Sequence, residues 1–128
     1  MIVSEHRKLQ LQKAQLKHRN TSQDWTARLR NKALQRAKVK DLEFTLTKEF
    51  LLEKVNKGIC EVTGVPLDFS GGPRKPHTPS LDRIDPLKGY TPDNVQLVSW
   101  IYNSAKNIFT HQDVVEFATT VVKGISWQ

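Results

Sequence analysis

The sequence predicts a small α+β domain, in which a strand, a turn-rich loop, a return strand and a helix form a core flanked by further helices. A basic helical extension precedes it. Three observations carry this expectation. Residues 80–107 read SLDRIDPLKGYTPDNVQLVSWIYNSAKN, passing from strand alternation through turn residues to a β-branched run and then to helical spacing. Helix-period stripes with capping residues recur on both sides of that stretch. Charge is unevenly divided: residues 1–40 hold eleven Lys and Arg against two acids, while the remainder holds nine against eleven. The expected division is therefore a basic helical extension over 1–40 and a folded domain over 41–128.

A chain of 128 residues suits one domain with a modest core. The formal net charge of +7 resides in the N-terminal arm, at +9 against −2 for the rest. A basic arm on a near-neutral domain suits a polyanion partner, although a charge run can also be a solvated helical surface. No apolar run is long enough to span a bilayer, and no signal peptide is expected. The single cysteine rules out an internal disulfide, and no disulfide-linked partner is expected. It suits a reducing cytoplasm.

Taken in order, Val3 to about His18 is polar and helix-favouring, with Leu9, Leu11 and Leu16 too few for a full amphipathic stripe. His6 and His18 read as solvated. Thr21 or Ser22 can cap the next helix, about Gln23 to Lys40, which places Trp25, Leu29, Ala33 and Ala37 on one stripe. Arg28, Arg30, Lys32, Arg36, Lys38 and Lys40 lie mostly off it and can follow a phosphate backbone. Asp41 to Leu46 alternates and reads as extended. Thr47 caps a helix from Lys48 to about Lys57, with Phe50, Leu51, Leu52 and Val55 inward and Gly58 ending it. Ile59 to Phe69 reads as two short strands around Thr63-Gly64. Cys60-Glu61-Val62-Thr63 has the outline of a zinc knuckle whose second cysteine is Thr63, so no structural zinc is expected and Cys60 reads as a small buried residue. Residues 70–79 form a Gly- and Pro-rich loop carrying Arg74, Lys75 and His77.

The first core strand is expected over Ser80 to Ile84 and the return strand over Val95 to Val98. Pro86, Gly89, Pro92, Asp93 and Asn94 reverse the chain between them. From Ser99 the helix packs by Trp100, Ile101 and Ala105, with Asn103, Lys106 and Asn107 on other faces. Thr110 and Asp113 form a capping box for a last helix, about His111 to Val122, with Val114, Val115, Phe117, Ala118 and Val121 inward. Gly124 ends it, and Ile125 and Trp127 are expected to pack back on the domain.

Strand, loop, strand and helix bring Asp82, Arg83, Asn94 and Asn103 to one place. One carboxylate and one amide oxygen make a poor closed cage, but they suit Mg²⁺, which keeps waters and binds substrate phosphate. Such an ion stabilises charge on a phosphodiester and its leaving oxygen. Asn94, at the mouth of the return strand, can brace the loop by bonding backbone across it.

These words, DRID, GYTPDNV and N-x-x-K, resemble the ββα-metal motif of the HNH (His-Me finger) endonucleases, in the variety common in phage genomes and free-standing homing enzymes. The likeness is specific over about residues 59–109. It implies that Asp82 is the acidic metal ligand, Asn94 the middle asparagine and Asn103 the helix ligand, with Mg²⁺ or Mn²⁺ as cofactor. It further implies DNA, most simply double-stranded, as substrate, hydrolysis leaving a 3′ hydroxyl, and a bacterial or phage-infected cytoplasm.

One position departs from the family: Arg83 stands where the general-base histidine is found. Arginine cannot give up its proton, but it can clamp a scissile phosphate. Three readings follow. His77 or Asp85 supplies the base, water activated by the metal suffices with help from Arg83, or the site only binds DNA. The catalytic set is Asp82, Arg83, Asn94, Asn103 and His77. The nucleic-acid contacts are Arg28, Arg30, Lys32, Arg36, Lys38, Arg74, Lys75 and Lys106. The alternative function is a DNA-binding module that retains the scaffold without catalysis.

Overall fold

A computed structural model describes residues 21–124. The expectations for Val3 to His18, including His6 and His18, and for Ile125 and Trp127 lie outside the described residues. Helix α1 spans Ser22–Lys40, begun by the Thr21 side chain accepting from the Asp24 N–H. It ends at Asp41, a left-handed C-cap with φ 53°. Its buried stripe is Trp25, Leu29, Ala33 and Ala37, the set that the 3.6-residue period selects. Trp25 and Leu29 enter one half of the core, with Val55, Cys60, Leu97, Val98 and Tyr102. Ala33 and Ala37 enter the other, with Leu46, Leu51, Leu81, Tyr90 and Val95. Residues 22–40 are thus part of the folded core, which corrects the division expected after residue 40. The physical reason is the stripe itself, since an apolar face of four residues is buried only against the domain.

The extended segment after α1 runs beside the later loop, where Phe44 bridges Tyr90 in parallel. Helix α2, Lys48–Lys57, is capped by Thr47 at one end and by left-handed Gly58 at the other. It buries Leu51 and Val55. The two strands expected over 59–69 are not formed. One bridge, Ile59 to Pro66, spans a turn in which the Gly64 N–H donates to the Cys60 carbonyl. The turn leaves too few residues on either arm for a ladder. Cys60 is fully buried, and its Sγ accepts from the Ser99 N–H. Burial raises this thiol's pKa, while hydrogen bonding to Thr63 and Ser99 brings it below the ordinary value.

Strands β1, Pro79–Arg83, and β2, Val95–Ser99, pair antiparallel with Leu81 opposite Leu97 and Asp82 opposite Gln96. Helix α3, Trp100–Lys106, follows β2 directly, and helix α4, His111–Lys123, follows a short turn. The Thr110–Asp113 capping box is present on both sides. Two faces differ from expectation. In α3 the buried side chains are Tyr102 and Lys106, while Ile101 and Ala105 are exposed. In α4 no side chain is buried: Val114 packs on the core, His111 Nδ1 pairs with the Tyr102 hydroxyl at 2.9 Å, and Phe117 is 65% exposed. Helix α4 packs chiefly on the short α3, so only its first turn meets the core.

Candidate functional site

The site is built where α3 docks on β1. Asn103 and Lys106 are one helical turn apart and so share a face. Asn103 Nδ2 donates to Ser80 Oγ at 2.7 Å and to the Leu81 carbonyl at 3.3 Å. Lys106 Nζ donates to the carbonyls of Arg83 and Ile84 at 2.7 and 3.2 Å and to Asp82 Oδ1 at 3.1 Å. Asp82 and Lys106 are 3% and 1% exposed, which makes theirs a buried ion pair. The second carboxylate oxygen of Asp82 accepts from Gln96 Nε2 at 2.9 Å, across the ladder. Both oxygens are therefore held in place by donors. Tyr102, on the same helix, has its pKa raised by burial first and then by the charge of Asp82.

The loop between the strands is closed as Asn94 was expected to close it. Its Oδ1 accepts from the Asp85 N–H at 2.9 Å, and its Nδ2 donates to the carbonyls of Asp85 and Gly89 at 3.1 and 2.8 Å. Arg83 joins this loop from the other side. Its Nη1 donates to the carbonyls of Pro86 and Lys88 at 2.8 and 3.1 Å, and its guanidinium lies 5.2 Å from the centre of the Tyr90 ring. One edge of the guanidinium is anchored, and Nε and Nη2 have no partner among the described residues.

Asp82, Arg83 and Asn103 line one open cleft of about 530 Å³, together with Arg36 and Lys40 of α1 and Arg74 of the preceding loop. A neighbouring hollow shares Arg36 and Arg74 and extends past Lys32 to Arg28. Arg28, Lys32, Arg36 and Lys40 recur every fourth residue and form a ladder roughly 18 Å long at 1.5 Å per residue. Trp100 lines both hollows, with the Arg74 guanidinium 5.5 Å from its ring centre.

Several expected contacts fall elsewhere. Lys106 does not reach a phosphate, because it is buried with all three N–H donors taken. Arg30 Nε donates to the Leu46 carbonyl and its guanidinium covers Phe44, so it holds the extended segment on α1. Lys75 ties its own loop through Ser70, Gly71 and Asp68. Lys38 is exposed outside the cleft. His77 does not line the cleft either. Its Nδ1 pairs with Ser99 Oγ at 2.9 Å, at the end of β1 remote from Asp82. Three strand residues, roughly 10 Å, separate Asp82 from Pro79, and His77 lies in the turn beyond that end, which does not bring it to Asp82 as a base. Asp85 accepts from the Leu87 N–H within the loop and is likewise outside the cleft. Gln96 carries no expectation from the sequence. Its place opposite Asp82 in the pairing register is the signal that could have found it.

The donor set can be tested against a divalent ion. Among the described residues no group of three or more His, Cys, Asp and Glu gathers, so they offer no closed cage. Asn103 has its amide nitrogen engaged twice and its Oδ1 without a partner among the described residues, the polarity that a cation needs. Each Asp82 oxygen keeps a lone pair beyond its one donor. Asp82 and Asn103 therefore fit an ion that takes its remaining ligands from water and phosphate.

No protein-family description matches the chain, and no curated protein matches its sequence. Among solved structures, the chain is similar to the rare-cutting HNH restriction endonuclease PacI, reported in a study of its DNA perturbation. The TM-score is 0.55 at 21% identity, over 79% of this chain and 82% of that one. This likeness shows the fold, a small α+β arrangement of helices around a two-stranded antiparallel sheet.

Proposed function

We propose that the protein is a metal-dependent DNA endonuclease that hydrolyses phosphodiester bonds. The observation that carries the reading is the convergence of Asp82, Arg83 and Asn103 on a cleft that continues along a basic ladder. Arg28, Lys32, Arg36 and Lys40, with Arg74, follow the phosphate backbone and lead it to the site. Arg83 is already anchored by one edge, and its other N–H groups meet the scissile phosphate without reorganisation. Asp82 and Asn103 would hold Mg²⁺ or Mn²⁺. Bound there, such an ion would supply positive charge to the phosphate and to the departing oxygen. Water attacks phosphorus and gives up a proton to solvent, the P–O3′ bond breaks to leave a 5′ phosphate, and the freed oxygen takes a proton from solvent to become the 3′ hydroxyl. Asn94 keeps the loop, and with it Arg83, in place. The overlap with an HNH fold supports this reading.

A second reading rests on its own observation. Among the described residues no histidine lines the cleft, and Asp82 is already paired with Lys106 and Gln96, as in a DNA-binding module without catalysis. Cleavage of supercoiled plasmid in Mg²⁺, Mn²⁺ or EDTA decides between the two, comparing the wild type with Asp82→Ala. Nicking that needs the metal and vanishes in the variant, with DNA affinity retained, is the result expected of the nuclease. DNA bound but uncut in every metal is the result expected of the module.

A further inference from the structure

We propose that Lys106 makes divalent-ion binding conditional on DNA, so that the ion joins the protein–DNA complex and not the free protein. The inference rests on the metal-dependent reading above. Among the described residues, Asp82 is the only acidic side chain that lines the cleft, and a buried ammonium already sits 3.1 Å from it. Lys106 is fixed there. Its other two donors hold the part-buried Arg83 and Ile84 carbonyls, so it cannot swing away without breaking three hydrogen bonds, the one to buried Asp82 among them. The pair is neutral as a unit. Around it stand Arg36, Lys40, Arg74 and Arg83.

A doubly charged cation entering this cleft alone meets net positive charge and two protein oxygens. Neither condition favours it, since hard divalent ions need several oxygen ligands and negative charge to shed part of their hydration. A DNA phosphate changes both at once. It neutralises the cations of the cleft and brings its own oxygens as ligands. Lys106 is therefore a positioning residue. It holds Asp82 oriented while offsetting the charge that would trap a metal prematurely. By linkage, the ion must raise DNA affinity by the same factor as DNA raises the affinity for the ion.

Mn²⁺ binding followed by electron paramagnetic resonance tests this on the full chain. The arms are protein alone, protein with a short duplex carrying uncleavable phosphorothioate linkages, and the Asp82→Ala complex as background. The expected result is an Asp82-dependent site roughly 10- to 100-fold tighter with DNA than without. Lys106→Met keeps the length of the side chain and removes its charge. It should bind Mn²⁺ without DNA about tenfold or more tighter than the wild type. Equal Mn²⁺ affinity with and without DNA in the wild type would overturn the inference and leave the nuclease reading standing. A folded Lys106→Met protein with no gain in affinity would overturn the role of Lys106. No Asp82-dependent Mn²⁺ site in any arm would remove the metal reading, and this inference with it. The wild-type arms decide the order of binding even if the variant does not fold.

Discussion

Asn94→Ala isolates the closure of the loop from the chemistry of the cleft. Asn94 is buried and makes three hydrogen bonds to the backbone of residues 85 and 89. Truncation strips the Gly89 carbonyl of a partner in a buried setting, at a cost of about 1–3 kcal/mol. The Asp85 groups are half-buried and can recruit water, so their two bonds add about 1 kcal/mol together. The sum is roughly 3 kcal/mol, a fall in Tm of about 10 °C for a chain of this size. Thermal unfolding followed by circular dichroism reads it directly. Asn94→Asp should be worse than Ala, because it keeps the acceptor for the Asp85 N–H but sets a carboxylate against two carbonyl oxygens. Arg83 is anchored on the same loop, so plasmid nicking should drop in both variants while DNA affinity holds. A Tm within about 2 °C of wild type for Asn94→Ala, on the same size scaling, would falsify the bracing role.

Gly89→Ala places a Cβ 2.4 Å from the Glu43 carbonyl oxygen, a backbone atom that cannot swing aside. It should destabilise by about 1–3 kcal/mol, as overpacking does, and an unchanged urea midpoint would contradict the close approach of the two segments. Removing Arg36 and Lys40 together should weaken DNA binding and flatten its log–log salt dependence by about 0.9 for each phosphate no longer neutralised. Arg30→Ala should lower Tm and leave that slope alone. An equal change in slope for Arg30→Ala would mean that the ladder is wrongly drawn. The Ser70 hydroxyl and N–H, followed by the charge of Lys75, hold the Asp68 carboxyl below the usual carboxylate range. Its folded value is thus lower than its unfolded one. The turn it makes is fully stabilised above about pH 4 and is lost as pH falls through the lowered value. The Ser70 amide resonance, followed against pH, should titrate below an unstructured aspartate, and a midpoint at or above that reference would remove the effect.

Much of the framework is local and therefore legible in the chain. Thr21, Thr47 and Thr110 cap the residue three positions on, and Gly58 and Gly124 close their helices in left-handed geometry. None of these needs a distant partner, so residue type and spacing determine them. The β1–loop–β2–α3 order and the role of Asn94 are local in the same sense. Other features depend on partners far along the sequence. Lys106 has the look of a solvent-facing lysine, and only Asp82, twenty-four residues earlier, makes it a buried ion. Arg36 and Lys40 share a cleft with the residues around Asp82, and Arg28 and Lys32 line the hollow beside it, because α1 lies across the start of the sheet. His77 is near Asp82 in sequence yet separated from it, because an extended strand carries successive residues apart. The apolar stripe of α4 shows the same limit: periodicity names the residues on a face, and the turn after α3 decides what that face meets. Short-range geometry was determined by the sequence, and charge pairing and burial across distant segments only by the tertiary structure.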